Sequence, residues 1–181
     1  MKERLKVICF GDSNTYGYDP RSWLNDRYDA QHRWVDIIAK QTGWDVCNSG
    51  ENGREIPSSI PIIPKDTDYF IVMLGTNDLL QGRSAEETAE RMKKWILDLP
   101  LSKDNVFLIA PPFFVRGTWV NDQALIEASQ TYAQYCQQIA QQLGLHFANA
   151  GEWGISIAYD GVHFTEQGHC IFAAKLMTYL L

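Results

Sequence analysis

Tyr69-Phe70-Ile71-Val72-Met73-Leu74-Gly75-Thr76-Asn77-Asp78 decides the fold: an unbroken apolar run passes directly into small and polar residues. A strand with one wet face would carry a polar side chain at every second position, and this run carries none before Gly75. It therefore reads as a strand covered on both faces, as in a parallel sheet. Short apolar runs at Leu5 to Phe10, Trp44 to Cys47, Val106 to Ala110 and Leu145 to Ala148 read as four companions.

Helical patterns lie between these runs. Ser84-Ala-Glu-Glu87 makes a capping box ahead of a stripe of Ala85, Ala89, Met92, Ile96 and Leu99. A second helix starts near Asn121, carries Leu125, Ala128, Tyr132, Tyr135, Ile139 and Leu143 at spacings of three and four, and stops at Gly144. An earlier helix carries Trp34, Ile37 and Ile38. A last one starts at Thr165 and buries Ala173, Leu176, Met177 and Leu180. Strand and helix thus alternate along the whole chain, which predicts an α/β fold: a three-layer α/β/α sandwich around a five-stranded parallel sheet. No composition shift, repeat or low-complexity tract divides residues 1–181, so one domain is expected.

At 181 residues, 45% of them hydrophobic and 21% charged, the chain falls in the globular class, with length enough to bury roughly 70% of its unfolded surface. Its net charge of −6 argues against a phosphate-backbone partner, so neither nucleic acid nor an anionic membrane is expected. Cys9, Cys47, Cys136 and Cys170 form no CxxC pair and lie in apolar segments. They read as small hydrophobes in a reducing compartment, with no disulfide. The first residues lead straight into a short apolar run without a signal-peptide pattern, so the cytoplasm is the expected location.

Ligands of an open α/β sheet bind outside the carboxyl ends of its strands. The segments there are polar: Gly11-Asp12-Ser13-Asn14-Thr15, Asn48-Ser49-Gly50-Glu51-Asn52-Gly53-Arg54, Gly75-Thr76-Asn77-Asp78 and, after the fifth run, Asp160-Gly161-Val162-His163. Acyl transfer needs a nucleophile, a base held in the correct tautomer and donors aimed at the developing oxyanion. Ser13 qualifies as nucleophile, His163 as base and Asp160 as the partner of the imidazole. The backbone N–H groups of Ser13 and Gly53 and the side-chain amide of Asn77 qualify as an oxyanion hole. Taken singly, each has a plainer reading: Ser13 and His163 as helix caps, Asn77, Asp12 and Asp78 as turn formers. It is their joint occurrence that favours chemistry.

Metal ligation by Asp12, Asp78, Asp160 and His163, as in a phosphoesterase, is disfavoured, because nothing supplies further ligands at a recognised spacing and the hydroxyl would be idle. No cofactor is expected: the glycines make neither a phosphate loop nor a dinucleotide fingerprint. His32, His146 and His169 have no partner pattern and read as structural.

Gly-Asp-Ser near the amino end, the glycine block, Gly-Thr-Asn-Asp and Asp-x-x-His, in that order over residues 11 to 163, resemble the GDSL esterases, also called SGNH hydrolases. The blocks are most similar to those of the bacterial arylesterase and acyltransferase branch. The resemblance implies a flavodoxin-like fold and serine-dependent, metal-independent hydrolysis of small acyl esters. Ser13, Gly53, Asn77 and His163 would be the name-giving residues and Asp160 the third member of the triad. Asn14 stands where the family name has Leu, at a position that would alter the pocket wall. Pro57 to Asp68 is short where the arylesterase branch carries an insertion, so neither that branch's oligomeric state nor its substrate channel is implied. A non-catalytic α/β ligand-binding domain is the reading of another class.

Aromatic residues gather near these segments: Tyr16, Tyr18 and Trp23, then Phe113, Phe114 and Trp119 after the fourth run, and Trp153 before the last block. Phe113, Phe114, Trp119 and Trp153 are expected, with Asn14, to wall the substrate pocket. Aryl, lipid, thioester and sugar leaving groups all fit this reading, and carbohydrate acetylesterase and lysophospholipase or thioesterase activity are its variants. The compact length favours short acyl chains.

Overall fold

Every apolar run becomes a strand in the computed structural model, which describes residues 4–22, 24 and 26–181. The strands are β1 (Lys6–Gly11), β2 (Asp45–Gly50), β3 (Tyr69–Met73), β4 (Val106–Ala110) and β5 (His146–Asn149). All neighbours pair in parallel, in the order β2-β1-β3-β4-β5. The helices are α1 (Ser13–Tyr16), α2 (Trp34–Thr42), α3 (Thr76–Leu80), α4 (Ala85–Leu97), α5 (Gln123–Leu143) and α6 (Glu166–Leu180).

The continuous apolarity of β3 has a direct cause in the layering. Phe70 and Val72 pack with Met92, Trp95, Ile96, Tyr132 and Ile139 of α4 and α5, whereas Ile71 and Met73 pack with Trp34, Ile38, Phe172 and Leu176 of α2 and α6. Alternate side chains thus serve two cores, and each fully buried one contributes about 1.5–3 kcal/mol. The α4 capping box forms as expected, with the Ser84 hydroxyl accepting from the Glu87 N–H and Glu87 returning the bond to the Ser84 N–H. Thr165 caps α6, and Gly144 ends α5.

Some expectations are corrected. β2 starts later than Trp44 and runs on through the polar Asn48-Ser49-Gly50, because its ladder with β1 continues until Gly50 meets Gly11. An edge strand tolerates those polar side chains. Cys47 and Cys170 are exposed rather than core residues; Cys9 and Cys136 are buried, and all four are free thiols. The short helices α1 and α3 carry too few residues to show a periodic pattern. Among the described residues, no helix is long and apolar enough to cross a membrane.

Register places the site. Gly11 pairs with Gly50 on one side and Met73 on the other, so β1, β2 and β3 end at one level. The strand order reverses between β1 and β3, which opens a crevice at their carboxyl ends. Ser13 follows the first of these strands and Asn77 the second.

Candidate functional site

Asp12, fully buried, accepts the Asn14 N–H at 2.9 Å and caps α1, which puts Ser13 at the first helical position. Burial pushes the Asp12 carboxyl up to about 6, and the bond from Asn14 only partly offsets it. Across the crevice, the chain leaving β5 turns into the loop that carries Asp160 and His163. Asp160 Oδ1 accepts the N–H groups of Val162 and His163, both at 2.9 Å, and its Oδ2 lies 2.8 Å from His163 Nδ1. His163 Nε2 lies 2.9 Å from Ser13 Oγ. With the Nδ1 proton on the Asp160 side, Nε2 presents its lone pair to the hydroxyl. Burial raises the Asp160 carboxyl, but the bonds from the His163 ring and from the two backbone N–H groups outweigh it and leave the group below its ordinary value.

The opposite side is built by the glycine block and α3. Gly53 has φ of +74°, a left-handed conformation that costs a side-chain-bearing residue energy. Arg54 then folds back: its guanidinium donates to the carbonyls of Gly11 and Ser49, pairs with Glu51 and lies 4.2 Å from the centre of the Phe10 ring. Two bonds tie this segment to α3. Asn77 Nδ2 donates to the Arg54 carbonyl at 3.0 Å, and the buried Asp78 accepts the Ile56 N–H at 2.9 Å. Arg91 Nε sits 3.1 Å from the other Asp78 oxygen. An amide nitrogen carries two hydrogens, so Asn77 keeps one for a ligand.

Between the two sides lies a cleft of about 190 Å³. Ser13 and His163 meet in it, and Asn52, Gly53, Asn77, Tyr18 and Trp119 complete its lining. The Tyr18 and Trp119 rings both pack edge-on against the imidazole, with centroids at 4.7 and 5.1 Å. Of the expected wall residues only Trp119 lines this cleft. Asn14 is buried behind it, where its side chain donates to the Val162 carbonyl at 3.1 Å and accepts the Phe164 N–H at 2.9 Å, gripping the chain on both sides of His163. Phe114 is buried in the α4/α5 core, and Phe113 packs against that core and against Gly151. Trp153 belongs to the α2/α6 core, against Phe172 and Tyr179. Trp23 lies outside the described residues.

Asn52 lines the cleft without having been singled out in the sequence; its only signal was membership of the glycine block. Tyr18 belongs to the aromatic cluster that follows Ser13. A larger open groove beside α2, lined by Asp29, Asp36 and Lys40 among others, holds none of these groups. Among the described residues, no three His, Cys, Asp or Glu side chains gather as a metal cage would require.

Comparison with known proteins agrees with this architecture. A GDSL esterase/lipase of Arabidopsis thaliana is 25% identical, with the match covering 96% of this chain and 78% of that one. Among solved structures, the aryl esterase of M. smegmatis superposes with a TM-score of 0.83 at 21% identity, covering 97% of this chain and 98% of the other. A carbohydrate acetylesterase from Sinorhizobium meliloti gives 0.75 at 22%, covering 97% and 99%. At those identities the two structures bear on the fold alone. The model of the GDSL-like lipase/acylhydrolase family matches residues 9–171, a span that holds every residue lining the cleft, and the chain therefore belongs to that family of ester hydrolases.

Proposed function

We infer that the protein hydrolyses short-chain carboxylic esters with Ser13 as nucleophile, His163 as general base and acid, and Asp160 as the carboxylate that orients the imidazole. The observation that carries this reading is the unbroken chain Ser13 Oγ, His163 Nε2, His163 Nδ1, Asp160 Oδ2, with links of 2.9 and 2.8 Å. Attack of Oγ on the ester carbonyl forms a C–O bond while the hydroxyl proton passes to Nε2. The imidazolium that results is stabilised by the Asp160 carboxylate.

Negative charge gathers on the former carbonyl oxygen. Three donors face that oxygen in this reading: the Ser13 N–H, which at the first helical position has no intrahelical acceptor, the Gly53 N–H, and the free hydrogen of the Asn77 amide. The tetrahedral intermediate then expels the alcohol, whose oxygen takes the proton from Nε2 as the C–O bond breaks. Water repeats the sequence on the acyl-Ser13 ester and releases the acid. A cleft of about 190 Å³ is close to the roughly 150 Å³ that encloses one benzene, which suits a short acyl group.

The test is covalent labelling. A fluorophosphonate should place one adduct on Ser13 by mass spectrometry, and Ser13→Ala should lose ester hydrolysis with an almost unchanged melting temperature. An adduct elsewhere, or full activity in Ser13→Ala, would refute the assignment.

A further inference from the structure

We propose that Asn14 is a positioning residue for the reaction: its side-chain amide clamps the main chain on both sides of His163 and so fixes the imidazole against Ser13. This rests on the roles given above to Ser13 and His163. The two peptide groups that flank the His163 Cα carry four polar atoms, and each has a partner. The Asn14 amide takes the outer two. Its Nδ2 donates to the Val162 carbonyl at 3.1 Å, and its Oδ1 accepts the Phe164 N–H at 2.9 Å. The inner two stay within the loop, with the His163 N–H donating to Asp160 Oδ1 at 2.9 Å and the His163 carbonyl accepting the Ala158 N–H at 2.7 Å. Asp160 and Ala158 belong to the same short stretch as His163, so their bonds set the shape of the loop and travel with it. Asn14 alone among these partners comes from the nucleophile's side, as the residue next to Ser13 in the chain.

Nor can the clamp shift without the nucleophile. Ser13 and Asn14 share the first turn of α1, where the Asp12 cap accepts the Asn14 N–H and the Trp34 indole N–H donates to the Asn14 carbonyl at 3.0 Å. Asn14, Val162 and Phe164 are all buried. A side chain without donor or acceptor at this position would leave a buried carbonyl and a buried N–H unpaired, a state that the chain relieves by moving the loop or admitting water. The leucine that the family name has here could make neither bond, so the clamp does not follow from the motif. Its consequence is kinetic. The proton of Ser13 Oγ crosses a 2.9 Å contact to His163 Nε2, and a displacement near 1 Å is enough to cost about a hundredfold in rate.

The experiment measures the rate constant for labelling of Ser13 by excess fluorophosphonate in wild type, Asn14→Leu, His163→Ala and the double variant. That constant is a property of each folded molecule, so a share of unfolded protein leaves it unmoved. Asn14→Leu should slow labelling about ten- to hundredfold, and kcat for a soluble acetate ester should fall with it while KM changes less than about threefold. With His163→Ala already in place, Asn14→Leu should slow labelling by less than about twofold more, because it acts through the imidazole. Asn14→Ser, too short to reach both groups and too small to crowd its neighbours, should behave in the same way and serves where Asn14→Leu does not fold. A labelling rate unchanged in the Asn14 variants, or an equal slowing with and without His163, would reduce the side chain to a packing element and overturn the proposal. Labelling of His163→Ala at the wild-type rate would instead strike the assignment of His163 as base, and this inference with it.

Discussion

Asn77 spends one amide hydrogen on the Arg54 carbonyl at 3.0 Å, and that bond fixes where the other one points. A donor held this way costs no reorganisation when charge develops, which is why a single oxyanion donor contributes about 2.7–4 kcal/mol to the transition state. Asn77→Ala should therefore reduce kcat by about a hundredfold to a thousandfold, with KM much less affected. Steady-state kinetics on a soluble acetate ester measures this, and a loss under threefold would reduce Asn77 to a turn residue. Asn14 teaches the converse lesson. Its place next to the candidate nucleophile suggested a pocket wall, yet both ends of its side chain hold backbone of the His163 loop. Sequence adjacency to Ser13 says nothing about which way a side chain on a helical turn points.

At the scale of elements, the loop after β4 and the loop before α6 behave as one unit. Val115, Thr118 and Trp119 donate main-chain N–H groups to the carbonyls of Gly161, Tyr159 and Asp160. Gly117 permits the approach: a Cβ there would sit 2.4 Å from the Asp160 carbonyl carbon and from the Gly161 nitrogen, both backbone atoms that cannot turn aside. Gly117→Ala should push the loops apart, costing roughly 1–3 kcal/mol of stability by overpacking. It should also lower kcat by about tenfold or more, because Asp160 moves with its backbone and a displacement near 1 Å is enough for such a loss. Urea unfolding and kcat per titrated site separate the two effects. Normal kinetics in a destabilised variant would show that the loop pair serves packing alone.

For the whole molecule, the proposed hydrolysis makes acyl selectivity a matter of the size of the cleft against the length of the acyl chain. Each methylene that finds apolar cover would add about 0.8 kcal/mol, close to fourfold in kcat/KM, and each one left in water adds little. With about 190 Å³ available, kcat/KM for p-nitrophenyl esters should be highest for acetyl to butyryl and should flatten or fall beyond about six carbons. Assays from acetyl to palmitoyl below micelle formation test this, and a steady rise toward palmitoyl would indicate an open hydrophobic groove instead.

Five apolar runs, their helices and the four polar blocks that follow strands were legible in the sequence because each rests on local periodicity, capping or spacing. The Ser84 box and the two-faced β3 are read directly from neighbouring residues, and Ser13, Gly53, Asn77, Asp160 and His163 from blocks whose order is visible along the chain. What only the tertiary structure decided was which of these segments meet. Strand order and the common level of Gly11, Gly50 and Met73 come from long-range pairing, which leaves no local mark. The division of the aromatics between cleft and core was equally hidden. Phe113, Phe114, Trp119 and Trp153 carry the same apolar signal in sequence, and the packing of α5 and α6 against the sheet determines that Trp119 alone among them faces the cleft.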